Sequence, residues 1–260
     1  MATAVRIQKI MADSGFCSRR AAEKLIDEGR VTVNGRPCSL GDKAIPGKDL
    51  LAVDGEKILV EKKRSYVYLM LNKPRGYVTS MKDELERRDV SSLVSDVPVR
   101  VFPVGRLDRN SEGLLLFTND GALANRLMHP SFSVPKLYRV TVNSRVVEEQ
   151  IIRLSEGVML EDGMTGEATV RVLENSEERS VMEIVITEGR NRQIRRMCEA
   201  VGLQVVRLKR NAEGPLRLGM LAPGKWRYLT NEEIMALQRV ASPTKIAAKK
   251  AAVQKRGKGK

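Results

Sequence analysis

Apolar residues in the first sixty positions recur at two different spacings. Val5, Ile7, Ile10 and Met11 follow a helical interval that stops near Gly15, which predicts a short amphipathic helix. Ser18 then stands as an N-cap ahead of Ala21, Ala22, Leu25 and Ile26, the apolar face of a second helix running to Glu28 and closed by Gly29. Arg20, Lys24 and Asp27 project from the opposite face of that helix. Beyond it the period falls to two. Val31-Thr32-Val33 alternates as a strand, Asn34-Gly35 signals a hairpin turn, and a second strand region covers 51–58 around the turn Asp54-Gly55. These features describe a small α/β module.

Glu61-Lys62-Lys63-Arg64 carries no apolar residue and fits a linker. From Ser65 onward the pattern changes to many strands with interspersed helices. Strands are expected at 66–71, 113–118, 138–142, 169–173, 181–187, 205–209 and 225–229. Helices are expected at 120–128, 148–156, 192–201 and 231–240, the last opened by the capping box Thr230-x-x-Glu233. In the 192–201 segment Ile194, Met197, Cys198 and Val201 make an apolar stripe. The expected fold class is α+β, a mixed and mainly antiparallel sheet preceded by the small α/β module. The expected divisions are 1–62, 63–241 and a basic, unfolded tail at 242–260.

Length and composition agree with two folded domains: 260 residues, 42% of them hydrophobic. The net charge of +14 narrows the range of partners. Seven lysines and arginines and no acid lie in 242–260, so half of the excess sits on the tail and the folded body is still basic. That balance points to a polyanion. Cys17, Cys38 and Cys198 form no C-x-x-C pair, which argues against a disulfide framework and for a reducing cytoplasm. His129 is the one histidine, so no structural zinc site or other metal site is expected. Arg6, Gln8 and Lys9 interrupt any signal-peptide core, and no apolar run approaches the ~20 residues a membrane span needs.

Three stretches can carry chemistry. In Val104-Gly105-Arg106-Leu107-Asp108-Arg109-Asn110-Ser111-Glu112-Gly113 a dense polar loop precedes the apolar run Leu114–Phe117. Asp108 lies between Arg106 and Arg109, and nearby guanidinium groups favour an ionised carboxylate, which can act as nucleophile or base. The same residue types also make ordinary turns and surface ion pairs. Tyr138, in Pro135-Lys136-Leu137-Tyr138-Arg139, can stack on a base or handle a proton, or simply pack in a strand. In Thr187-Glu188-Gly189-Arg190-Asn191-Arg192-Gln193-Ile194-Arg195-Arg196, four arginines gather at a helix start. There they oppose the helix dipole and call for a compensating anion, a phosphate or a buried carboxylate.

Taken in order, Leu71-Asn72-Lys73-Pro74-Arg75-Gly76, Gly105-Arg106-Leu107-Asp108 with Ser111-Glu112-Gly113-Leu114, Lys136-Leu137-Tyr138 and Gly189-Arg190-Asn191-Arg192-Gln193-Ile194-Arg195 resemble the catalytic domain of bacterial rRNA pseudouridine synthases typified by RsuA and RluB. Residues 5–52 resemble the small RNA-binding module of a ribosomal small-subunit protein, the S4 type. The resemblance implies isomerisation of a specific uridine to pseudouridine in ribosomal RNA, with large-subunit 23S rRNA favoured over 16S rRNA. The alternative is a non-catalytic rRNA-binding or ribosome-assembly protein on the same fold.

The resemblance also implies roles. Asp108 is the catalytic carboxylate, Tyr138 packs on the target base, and Arg195 pairs with the aspartate. Arg106 fills the gap left by an extruded base. RNA contacts are expected from Arg6, Lys9, Arg19, Arg20 and Lys24 in the first module, and from Lys73, Arg75, Arg106, Arg109, Arg190 and Arg192 around the motifs. No cofactor is expected. The expected partner is ribosomal RNA or an assembly intermediate, bound by a monomer.

Overall fold

The Ser18 hydroxyl oxygen accepts the Ala21 N–H at 3.1 Å and starts the second helix, as its place in the sequence predicts. The computed structural model describes residues 3–60, 65–83 and 85–241, so the expected linker at 61–64 and tail at 242–260 lie outside the described residues. Contacts divide the chain into two units, with the break between Val67 and Tyr68.

The first unit runs β1 (Val5–Arg6), α1 (Ile7–Asp13), α2 (Arg19–Asp27), β2 (Val31–Val33), β3 (Arg36–Pro37), β4 (Lys43–Ala44), β5 (Leu51–Val53) and β6 (Glu56–Lys57). Four strands pair antiparallel in the order β3-β2-β5-β6, and β1 pairs with β4. Both hairpin turns place two residues at positive φ: Asn34 at 52° with Gly35 at 79°, and Asp54 at 51° with Gly55 at 84°. That is the type I′ geometry the Asn-Gly and Asp-Gly pairs favour. Ile7, Ile10, Met11, Ala22, Ile26, Val31 and Leu51 form the buried core. The expected helical stripes supply most of it.

The second unit contains β7 (Tyr68–Lys73), β8 (Phe102–Val104), β9 (Glu112–Thr118), α3 (Gly121–Met128), β10 (Lys136–Val142), α4 (Glu148–Glu156), β11 (Met159–Leu160) and β12 (Gly163–Met164). It continues through β13 (Thr169–Asn175), β14 (Ser180–Ile186), α5 (Gln193–Ala200), β15 (Val205–Glu213), β16 (Leu216–Arg217), β17 (Trp226–Tyr228) and α6 (Asn231–Val240). One nine-stranded sheet has the order β13-β14-β10-β15-β9-β7-β17, with β16 on β15 and β8 on β9. Every pairing in it is antiparallel except that of β9 with β15. The helix 148–156 and the helix 231–240 form at their expected bounds, the latter with the complete Thr230/Glu233 capping box. Met70, Val104, Leu114, Leu116, Leu123, Leu127, Val134 and Leu237 join the sheet to α3 and α6 in one core. No helix among the described residues is long and apolar enough to cross a membrane.

The short strands β8, β11, β12 and β16 were not expected, because two or three residues are too few to show a period. The strand expected at 205–209 continues to Glu213. Its extra residues include Arg210 and Glu213, whose charges break the apolar pattern although both are buried. The parallel joint lies here, with Arg210 opposite Gly113. Gly113 has φ +107°, and a Cβ there would stand 2.2 Å from the Arg210 carbonyl oxygen. Only glycine lets the two backbones approach so closely.

Candidate active site

The loop between β8 and β9 carries Asp108, and the protein holds its backbone at every step. The Leu107 carbonyl accepts from Thr79 Oγ1 at 2.6 Å, and the Arg109 carbonyl accepts from the Gly76 N–H at 2.8 Å. The Asn110 carbonyl accepts from Arg195 Nη2 at 3.1 Å. The Asp108 carbonyl accepts from Lys73 Nζ at 3.1 Å and from the Ser111 N–H at 3.0 Å. The Ser111 carbonyl also accepts from Lys73 Nζ, at 2.8 Å. Five consecutive carbonyl groups are therefore engaged, while the Asp108 carboxylate makes no hydrogen bond or ion pair among the described residues. A rigid backbone with an uncommitted carboxylate is preorganised for chemistry rather than for structure.

Asp108 lines a cavity of about 540 Å³, within the usual range for small-molecule and nucleotide sites. Asp108 and Arg106 line one side of it, Tyr138 and Arg210 on the sheet another, and the 187–194 segment a third. Tyr138 is buried, and burial pushes its phenol above the usual range against the opposing influence of Arg210. Lys73 Nζ is enclosed by carbonyl groups. Burial brings it down to about 8, although Asp108 and Glu112 favour its charge.

The arginine-rich segment behaves differently from the expectation of a phosphate-facing cluster. Arg190 donates to the carbonyls of Asp162, Gly163 and Met164 at 3.3, 2.8 and 2.5 Å, which ties the β11–β12 hairpin to the cleft wall. Arg196 pairs with Asp162 at 3.0 Å. Gln193 accepts the Arg190 N–H at 3.0 Å and donates to Glu188 at 2.5 Å. Much of the compensating negative charge at this helix start is therefore internal. Arg195 sends its guanidinium to the carbonyls of Val205, at 3.0 Å, and Asn110. It makes no ion pair with Asp108 within 4 Å among the described residues, and it acts on that residue's loop two positions further on. Burial and the neighbouring Arg192 lower its basicity, and the Asp108 charge opposes them.

Lys73 requires a correction. It was expected among the RNA contacts, but its side chain is 0% exposed and bound to three carbonyls, so no phosphate can reach it. Arg75, Arg106, Arg109 and Arg192 are exposed, as are Arg6, Lys9, Arg19, Arg20 and Lys24 in the first unit. His129 accepts the Ser131 N–H at 3.2 Å and caps the turn at Pro130, a structural role. Glu112 is held by Arg207 and does not line the cavity, which weakens any two-carboxylate glycosidase reading. Sequence reasoning missed Arg210 and Glu213, two charged residues in the cavity wall.

Comparison with known proteins places this geometry in a family. Residues 67–200 match the RNA pseudouridylate synthase family and residues 5–49 match the S4 domain. An uncharacterised RNA pseudouridine synthase of Aquifex aeolicus is 45% identical over 90% of this chain and 93% of its own. Ribosomal large subunit pseudouridine synthase B of Bacillus subtilis is 39% identical, over 93% of this chain and 99% of its own. The dual-specificity RNA pseudouridine synthase RluF of Escherichia coli is 37% identical, over 90% and 79%. A crystal structure of a pseudouridylate synthase superposes with TM-score 0.66 at 31% identity, over 90% of this chain and 99% of that one. The chain is therefore an RNA pseudouridine synthase, a member of the RNA pseudouridylate synthase family that carries an S4 domain ahead of its catalytic sheet.

Proposed function

We propose that this enzyme isomerises one specific uridine of 23S ribosomal RNA, with Asp108 as the acting carboxylate. The supporting observation is the Asp108 loop: its carbonyl groups are all engaged, and the carboxylate is left to the cavity. The large-subunit assignment rests on likeness over nearly the whole chain to the Bacillus subtilis enzyme named for that subunit.

In the reaction the uracil N1–C1′ bond breaks, the base turns, C5 bonds to C1′, and the proton that C5 loses is balanced by one taken up at N1. A base inside folded RNA must first be extruded, which costs a few kcal/mol of unstacking. Phosphate contacts from exposed cations offset that cost. Asp108 then acts at the ribose, attacking its carbon or removing a ribose proton as uracil departs. Tyr138 packs on the base, a contact worth ~1–3 kcal/mol. Through the Asn110 carbonyl, Arg195 fixes the loop that carries Asp108. Arg106, exposed at the cavity mouth, takes the place of the extruded base.

Sequencing of pseudouridine across rRNA from cells lacking this protein tests the substrate. A single missing modification in 23S rRNA, restored by incubating the purified enzyme with a 23S transcript or assembly intermediate, is the expected result. A missing site in 16S rRNA instead rejects the large-subunit reading.

The first unit is the docking domain in this reading. Arg19, Arg20 and Lys24 lie exposed on or beside α2. Replacing the three by alanine should reduce the slope of log affinity against log salt by about 2, since each lost phosphate contact removes roughly 0.7–0.9. Filter binding of rRNA fragments from 50 to 300 mM salt (on the order of the range where such slopes are read) measures it. An unchanged slope removes the domain's docking role.

A further inference from the structure

Arg210 and Glu213 have no part in the chemistry above, yet both line the cavity and each is only 2% exposed. Replacing such a buried pair by apolar residues is often neutral or stabilising, so stability alone does not account for them. Their surroundings supply a reason. Arg210 sits directly opposite Tyr138 in the β10–β15 register, and both residues line the cavity. Its Nε is fixed by the Leu114 carbonyl at 2.8 Å, in the strand that follows the Asp108 loop. Its Nη2 is 3.3 Å from Glu213 Oε2, and neither atom has a well-directed hydrogen bond among the described residues. Lys136, opposite Glu213 on β10, adds a second cation and sends its Nζ to the Val134 carbonyl at 3.2 Å.

A guanidinium can only donate hydrogen bonds. Facing Arg210 across the strand pair, the Tyr138 oxygen can be offered only a donor, which leaves its own O–H to turn elsewhere. What remains open to it is the cavity. We propose that Arg210, held in place by Glu213, is a positioning residue that fixes the Tyr138 hydroxyl as a hydrogen-bond donor to an oxygen of the target nucleotide. The inference rests on the reading that the target uridine occupies the Asp108 cavity. Burial keeps the phenol protonated, which suits a donor and not a base. A preorganised donor of this kind is worth on the order of 10- to 1000-fold in rate when charge develops at its acceptor.

A double-mutant cycle with the full-length enzyme tests it, using tritium release from 5-tritiated uridine in an rRNA transcript under single turnover. Tyr138→Phe should slow release about 30-fold with RNA affinity nearly unchanged. Arg210→Met combined with Glu213→Leu removes both charges and should slow it by a similar factor. Added to Tyr138→Phe, that pair should cost nothing further, because the hydroxyl through which it acts is already gone. Multiplied losses, near 1000-fold on the same scale, would show that the pair acts elsewhere, and an unchanged rate would show it to be structural only. Should the paired variant melt below the assay temperature, Arg210→Lys serves in the same cycle. It should slow the enzyme that keeps Tyr138 and leave the rate of the Tyr138→Phe variant unchanged, and slowing of both backgrounds overturns the proposal. If wild-type enzyme releases no tritium, the failure belongs to the proposed reaction and not to this pair.

Discussion

Asp108→Asn should lower pseudouridine formation by about 10⁴-fold or more while leaving the protein folded and able to bind RNA. The magnitude follows from the division of labour at the loop. Its fixed shape comes from backbone carbonyls bound to Thr79, Lys73, Gly76 and Arg195, and none of these contacts involves the Asp108 side chain. Asparagine has nearly the same size, so the melting temperature should stay within a degree or two of wild type. What disappears is a negative charge that can attack carbon or take a proton, and an amide does neither. Tritium release, mass spectrometry of the product RNA and a thermal melt together separate the possibilities. Turnover within tenfold of wild type in a folded Asn variant would remove Asp108 from the chemistry.

The sequence revealed most where short-range physics fixes the outcome. The α2 N-cap, the two I′ turns and the Thr230 capping box each depend on neighbours within three residues, and each formed as read. The motif pointed to Asp108, and the fold places that residue in the cavity wall, but not between the arginines that flank it in sequence. Arg109 turns to the Gly76 carbonyl at 3.3 Å and Arg106 is exposed, so the flanking arginines do not grip the carboxylate. Long-range contacts were hidden. Arg210 reaches Leu114 across 96 positions, and Arg195 reaches Asn110 across 85. Nothing in local composition distinguishes such arginines from the exposed ones around them. Lys73 was misread for the same reason: Pro74, Arg75 and Gly76 after it look like an exposed basic turn, whereas Lys73 itself is the last buried residue of β7.

That buried lysine carries the second large effect. Lys73→Met should destabilise the protein by about 3 kcal/mol at pH 7, because it takes the Lys73 donor from the Pro74 and Ser111 carbonyls and leaves the Asp108 carbonyl with the Ser111 N–H alone. The deficit should also depend on pH in a direction opposite to that of most lysines. Burial holds the folded-state value near 8, whereas an unfolded lysine titrates near 10.4. Between those values the unfolded chain binds a proton that the folded chain has released, so raising the pH favours the folded state. The wild type gains this stability from pH 8 upward and Lys73→Met cannot. The gap between them should therefore widen by about 2 kcal/mol from pH 7 to about 9.5. Urea denaturation of both proteins at the two pH values measures it, with every other titrating group cancelling in the difference. A gap that narrows as pH rises would mean that Lys73 is stabilised as a cation by Asp108 and Glu112 more than it is penalised by burial. The loop would then be held by charge, and its grip on Asp108 would weaken with added salt as well as with alkali.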